Sequence, residues 1–361
     1  MIASPTDAHR SAATTVAAQQ QSAPRLSVVI VNWNGLEHLP VCLDSLAAQT
    51  FRDFEVVLVD NGSRDGSVEF VRIRYPWVQL VPLPENTGFA TGNNRGLERA
   101  RGDYIVTLNN DTRVEPDWLE SLVGVADAYP RAGMVASRVC AFSDPDIIDS
   151  IGMNICRDGM ARGQFRNRRW SSLRLQEVEE ILIPSACAAL YKRAMIAETG
   201  FFDDDFFAYA EDVDLGMRGR LAGWEAVAAT KAVVHHKYSQ TSGSLSPFKV
   251  YLVERNHYWV VWKNFPVSHL AALPFFTVWR YVEQVLAVLA GGGTGGEFRA
   301  GGSRGALVKA LLKGILDSLR GILQVLRKRR QVMNNRKLPM REFAKLLRRH
   351  RLTFRELLDY D

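Results

Sequence analysis

Three carboxylates, Glu211, Asp212 and Asp214, stand within four residues, directly after the aromatic run FFAYA. One acidic side chain at a helix N-terminus is ordinary capping, because the macrodipole favours negative charge there. Three repel one another unless a cation, a ligand or a proton relieves them. Helical geometry puts Asp212 on the side of Leu215 and Gly216 and turns Asp214 elsewhere, so at most two of the three serve one site. Asp214 then reads as structural, paired with Arg218 one turn on. A further carboxylate, Asp111, ends the run LNND. Oxygen ligands at that point suit Mg2+ or Mn2+ bridging a diphosphate, and an Asx turn explains the same residues. Asp60 in VDNGS can accept from a nucleobase or a ribose hydroxyl, or it can shape the turn. The stretch NTGFATGNNRG (86–96) suits close backbone approach to a phosphorylated ligand. His236 closes KAVVHH, where an imidazole can complete a metal site or serve the core.

The elements that must position these residues follow from hydrophobic patterning. LSVVIV (26–31) and FEVVLVD (54–60) are short apolar runs, each stopped by Asn and Gly. VQLVPL (78–83) and DYIVTLNND (103–111) continue the series, and a helical pattern spans 36–48. Alternating strands and helices with short loops predict a mostly parallel sheet covered on both faces. Ligands bind such sheets at the carboxyl ends of the strands, where Asn32, Asn34, residues 60–63 and 109–111 all fall. SACAALY (185–191) and KAVVHH (231–236) read as later strands, with a less regular, Arg-rich segment over 157–170. No GxGxxG follows the first strand and no GxxxxGK[ST] occurs, which argues against dinucleotide and P-loop chemistry.

Charge divides the chain. Of a formal +6, residues from Gly301 onward hold 16 Lys and Arg against 5 Asp and Glu, so the body is mildly acidic. The segment 305–330 places Lys309, Lys313, Asp317, Arg320, Gln324 and Arg327 at steps of three or four and ends in a KRR cluster. That pattern predicts an interfacial helix on an anionic membrane surface; a helix packed on the body with solvated charges gives the same pattern. Residues 264–290 are apolar, but Arg280, Glu283 and Gln284 interrupt them, short of a spanning helix. Aromatics are not interleaved with the basic residues, which excludes nucleic acid as partner. The four cysteines form no CxxC pair, which suits a reducing compartment. The first 24 residues lack an apolar run of signal-peptide length and predict a flexible tail.

As an ordered set, SVVIVNWNG, VDNGS, NTGFATGNNRG, LNNDT, ACAALYKR, FFAYAEDVDLGMRGRLAGW and VVHHKYSQTSG resemble the inverting family 2 glycosyltransferases. Within them the match is to bacterial rhamnosyltransferases acting on lipid-linked acceptors, over about residues 26–262. The resemblance implies an α/β GT-A fold, a Rossmann-like mixed sheet, over 25–262. Composition and patterning outside it predict a helical, basic, membrane-associating extension over 263–361 and a disordered tail at 1–24. The resemblance implies a nucleotide-sugar donor, with Asp60 at the nucleobase and Asn32 and Trp33 beside base and ribose. Asn86, Gly88 and Asn94 would lie in the donor loop. Asn110 and Asp111 close the segment equivalent to DxD, which here reads NND. Asp111 and His236 would hold Mg2+ or Mn2+, and Asp212 would be the catalytic base with Glu211 beside it. No QxxRW follows Asp212, and Arg169-Trp170 lies upstream, so a single addition is favoured over processive synthesis. The implied reaction moves L-rhamnose from dTDP-L-rhamnose to polyprenyl-diphosphate-linked GlcNAc, on the cytoplasmic face of the plasma membrane. Alternatives are glucose, galactose or GlcNAc as donor sugar and, from another class, a non-catalytic membrane scaffold. A homo-oligomer is compatible with the sequence.

Overall fold

A computed structural model describes residues 23–237, 246–290 and 304–358. The expected tail at 1–22, the Gly-rich break at 291–302 and the segment after Lys237 lie outside the described residues. Twelve strands are present: β1 Leu26–Asn32, β2 Phe54–Asp60, β3 Gln79–Pro82, β4 Tyr104–Asn109, β5 Thr112–Val114 and β6 Ala132–Ala141. They continue with β7 Ile148–Ile151, β8 Met153–Ile155, β9 Ala161–Gly163, β10 Val178–Glu180, β11 Ala188–Lys192 and β12 Glu225–His236. The helices in the body are α1 Leu39–Ala47, α2 Ser67–Arg74, α3 Gly88–Leu97, α4 Trp118–Ala128, α5 Arg193–Thr199 and α6 Glu211–Leu221. After them come α7 Pro247–Asn264, α8 Val267–Ala290, α9 Arg304–Arg320, α10 Ile322–Asn334, α11 Met340–Arg349 and α12 Phe354–Leu358.

The main sheet runs in the order β10-β12-β6-β11-β4-β1-β2-β3. β4, β1, β2 and β3 are parallel, as the apolar runs joined by helices require, and β11 inserts antiparallel between β4 and β6. The sheet is therefore mixed, the GT-A-like form. Register brings the strand ends level: Asn32 faces Asp60, and Val31 faces Asn109. β5 turns straight back from β4 and pairs with the end of β12, setting His236 opposite Thr112. β12 is longer than the run KAVVHH suggested, beginning at Glu225, because Ala226–Ala229 also pair with β6.

One sheet face packs on α1 and α4 through Leu39, Leu43, Leu46, Trp118 and Leu122. The other carries Ile105, Tyr191, Met195, Phe201 and Leu215. A third core joins the back of α6 (Val213, Met217, Leu221) to α7, α10 and α11 through Val260, Val261, Val325 and Phe343. The C-terminal helices thus share a core with the body.

The segment 305–330 is two helices, α9 and α10, meeting at Gly321. α9 lies so close to α7 that a Cβ on Gly314 would come 2.8 Å from the carbonyl of Tyr251, so only glycine fits. Leu307, Ala310 and Ser318 are buried, while Val308, Leu312, Leu316 and Leu319 are about half exposed. The helix therefore packs on the body along one face and leaves apolar side chains exposed on the other. The KRR cluster differs from expectation. Lys328 is tied to Asp203 and Asp205 at 2.5 Å, and Arg329 donates to the carbonyl of Trp262. The acidic loop carrying Asp203 and Asp205 thus draws Lys328 inward and the end of α7 holds Arg329, leaving Arg327 and Arg330 exposed. No helix among the described residues is long and apolar enough to cross a membrane.

Candidate active site

A cavity of about 1210 Å3 opens at the carboxyl ends of the parallel strands. Trp33, Asn86, Gly88, Asn110, Asp111, Glu211, Asp212 and His236 all line it. Asn32, Asp60 and Asn94 do not reach its wall. The Asn32 amide donates to Asp60 (3.0 Å) and accepts from Asn110 (2.7 Å), so a buried network beneath the wall orients Asn110. Asp60 also accepts from the backbone N–H of Ser63 at 2.9 Å, which shapes the turn after β2. Asn94 donates to Asp204 and to the carbonyl of Phe202, joining α3 to the loop before α6. Asn61, not singled out from sequence, lines the cavity and donates to Asn86 and to the carbonyl of Gly88.

Asp111 and His236 meet through the β5–β12 pairing. His236 Nε2 lies 3.4 Å from Asp111 Oδ1, and Nδ1 lies 2.9 Å from Asp149. His235, on the opposite face of the strand, contacts Glu115 at 2.6 Å instead. Burial alone would lower the His236 pKa. The Cys187 sulfur and hydrogen bonds to Asp111 and Asp149 reverse this and raise it well above the ordinary imidazole value. Cys187 is itself held protonated by burial, so the two carboxylates carry the effect. Asp111 is also buried, which would raise its pKa, but His236 holds it below the usual carboxylate value. Asp149 was not legible in the sequence, since nothing local marks it.

These residues fit a divalent cation. Asp111 and His236 both line the cavity, and Asp149 at Nδ1 of His236 would hold the tautomer in which Nε2 takes a cation in place of its proton. No group of three His, Cys, Asp or Glu side chains suited to a metal occurs among the described residues. Diphosphate oxygens and water would therefore complete the shell, the habit of Mg2+ and of Mn2+ on oxygen ligands.

The carboxylate knot resolves cleanly. Asp214 is fully buried behind α6, bonded to Arg218, Lys263 and Asn264 at 2.8–2.9 Å, away from the cavity. Asp212 is half-buried on the cavity wall and accepts from the backbone N–H groups of Ala186 (3.0 Å) and Val213 (2.8 Å). Glu211 is buried, and its Oε2 has no hydrogen-bond partner. Burial raises both pKa values, and the charge of Asp212 raises Glu211 further. The backbone donors favour ionised Asp212, so Glu211 holds the proton of the pair.

The turn before α6 aims this pair. Phe207, Tyr209 and Ala210 all have positive φ (63°, 69° and 66°), a costly conformation for such residues. Asn256 of α7 holds the turn by donating to the carbonyls of Phe206, Ala208 and Tyr209 at 2.7–3.0 Å. From the other side, Ala90 donates to the carbonyl of Phe207. Gly88 must be glycine, since its φ is 88° and a Cβ would sit 2.5 Å from that same carbonyl.

Asp212 and the Asp111–His236 pair thus line one cavity at the strand ends of a GT-A-like sheet. Two solved structures share the fold. They are a mannosyltransferase from Pyrobaculum calidifontis with GDP-Man and Mn2+ (TM-score 0.52, 18% identity, 87% of this chain and 86% of that one), and GalNAc-T7 with UDP, GalNAc and Mn2+ (TM-score 0.55, 17%, 67% and 48%). The profile of Glycosyl transferase family 2 matches residues 27–200. The N-acetylglucosaminyl-diphospho-decaprenol L-rhamnosyltransferase of Mycobacterium tuberculosis is 33% identical over 240 residues, covering 60% of this chain and 77% of that one. Glycosyltransferase AglE of Haloferax volcanii is 31% identical over 146 residues, 36% of this chain and 48% of that one. The chain belongs to glycosyl transferase family 2, and is a glycosyltransferase.

Proposed function

We propose that the enzyme transfers L-rhamnose, with inversion, from dTDP-L-rhamnose to a hydroxyl of a polyprenyl-diphosphate-linked, GlcNAc-type acceptor in cell-wall or surface-polysaccharide assembly. The observation that carries the inverting reading is Asp212, a carboxyl group held by two backbone N–H donors on the same cavity as Asp111 and His236. Asp212 takes the proton of the acceptor hydroxyl as that oxygen attacks the anomeric carbon. The bond to the nucleoside diphosphate breaks in the same step and its electron pair leaves with the phosphate, so no sugar–enzyme intermediate forms. Trp33, Asn86 and Asn110 bind the donor at the wall, while Asn32, Asp60 and Asn94 hold the loops that carry them. Mg2+ or Mn2+ on Asp111 and His236 would supply the positive charge that the leaving diphosphate needs.

Rhamnose and the lipid-linked acceptor rest on the named activity of the mycobacterial relative. A second reading keeps the chemistry and changes the sugar, because the fold neighbours hold UDP with GalNAc, and GDP-Man. Nucleoside diphosphate release from a panel of nucleotide sugars separates the two. We place the enzyme on the inner face of the plasma membrane, held through the exposed apolar faces of α8 and α9. Asp212→Asn should cut transfer by ~100-fold or more while donor affinity, measured by calorimetry, stays near wild type; near-normal turnover removes Asp212 from the role. Excess EDTA should abolish transfer and Mg2+ or Mn2+ restore it; activity unchanged in EDTA rules out the metal.

A further inference from the structure

The cavity extends well beyond the space between Asp111 and Asp212, to an end built by elements outside the sheet. Its walls there carry the apolar Val253 of α7, Val285 and Ala287 of α8, Leu311 of α9 and Leu357 of α12, beside the polar Glu254, Tyr281 and Gln284. The same α8 and α9 that line this mouth carry exposed apolar side chains, among them Phe275, Trp279, Leu312 and Leu316, each about half exposed or more. Arg280, whose charge interrupts this helix, is buried and paired with Asp158 and Glu254 at 2.5 and 2.7 Å, so its positive charge is taken up inside the fold.

Three cations line the cavity between its two ends: Arg162, Arg166 and Lys249. Their contacts order them along it. Arg166 meets Asp149 at 3.0 Å, the carboxylate that orients His236, and so belongs to the reacting end. Arg162 donates to the carbonyl of Glu356, next to Leu357, and so stands at the apolar mouth. Lys249 sits 5.7 Å from the Tyr209 ring centroid, two residues before Glu211. A strained reversal, with Phe165 and Asn167 both at φ 62°, carries Arg166 inward. Apolar mouth, then cations, then a catalytic carboxylate is the order of parts in a lipid diphosphate that carries a sugar.

We propose that this end of the cavity is a subsite for a diphosphate joined to a hydrocarbon chain. Arg162, Arg166 and Lys249 hold the diphosphate, the planar guanidinium forks matching its oxygens. The apolar mouth takes the first units of the chain, and the attached sugar extends toward Asp212. The subsite deepens the lipid-linked acceptor reading above and rests on it for its biological occupant.

Farnesyl diphosphate tests it without any sugar transfer. It is titrated calorimetrically into the full chain with the donor end filled by nucleoside diphosphate and Mg2+, beside inorganic pyrophosphate as a chain-free control. Wild type should bind farnesyl diphosphate at least ~10-fold tighter than pyrophosphate. Arg162→Ala and Lys249→Ala should each weaken farnesyl diphosphate roughly tenfold. Leu311→Glu, or Val285→Glu if the first variant folds poorly, should erase the preference for the chain. Retained nucleoside diphosphate binding reports an intact fold in each variant. Equal affinity for the two probes in wild type overturns the subsite, as do basic-site variants that bind like wild type. If farnesyl diphosphate binds as expected but no lipid-linked saccharide is glycosylated, the acceptor reading fails and the subsite stands.

Discussion

Glu211 is the residue whose chemistry is least ordinary, a buried carboxyl with an oxygen that no neighbour satisfies. A base beside it gains from the arrangement: burial raises Asp212, making it a stronger proton acceptor than a carboxylate in water. Stability bears the cost. A folded pKa raised above the unfolded value near 4.5 gives stability that is present at low pH and lost as pH rises through the folded value. Glu211→Gln removes that loss, so its melting temperature relative to wild type should climb between about pH 5 and pH 8. A difference that is flat across that range would mean Glu211 ionises normally. At this scale the sequence was informative. The ED pair was legible as a candidate because three carboxylates at one helix start exceed what capping needs, and Asp111 and His236 because they fall in the ordered set of motifs. Asp149 and Asn256 were not, since each acts only on a partner far along the chain.

At the scale of elements, the site depends on α7, which holds the turn before α6 as well as lining the cavity through Lys249 and Val253. α7 fixes the turn at 207–210 through Asn256, and anchors Asp214 through Lys263 and Asn264. Asn256→Ala leaves three carbonyls of a strained turn without their donor. We expect a loss of ~1–3 kcal/mol in stability and a roughly tenfold lower kcat with donor affinity unchanged. Wild-type kcat in a destabilised variant would show that the turn holds its shape without the clamp. The strands β1, β2 and β4 were readable because each is a buried apolar run with punctuation. β5, β7, β8 and β9 are three or four residues long, too short for any periodicity, and exist only because a neighbouring edge pairs with them.

For the whole molecule, the open question in the sequence was whether 305–330 meets a membrane or the body: one face packs on the body, and the other exposes the apolar side chains through which we propose membrane contact. Deleting these residues would strip Leu307, Ala310 and Val325 from buried positions, so deletion is a poor probe of membrane contact. Trp279→Glu combined with Leu316→Glu changes only exposed positions. It should sharply reduce co-sedimentation with phosphatidylcholine–phosphatidylglycerol vesicles while nucleoside diphosphate binding persists. Unchanged co-sedimentation would exclude these faces as the contact. Arg327 and Arg330 remain available to the anionic headgroups, whereas Lys328 does not, since Asp203 and Asp205 hold it.

By itself the sequence determined the alternation of strand and helix, the edge of the sheet where polar residues gather, and the candidate base. Those follow from local pattern: burial of apolar runs, punctuation by Asn and Gly, and charge crowded at one helix start. Only the tertiary structure decided which residues meet. His236 reaches Asp111 across 125 positions because β12 pairs with β5, and Asp214 leaves the site because Lys263 and Arg218 wait behind the helix. Register and long-range pairing are set by packing of whole elements, and no local stretch of chain encodes them.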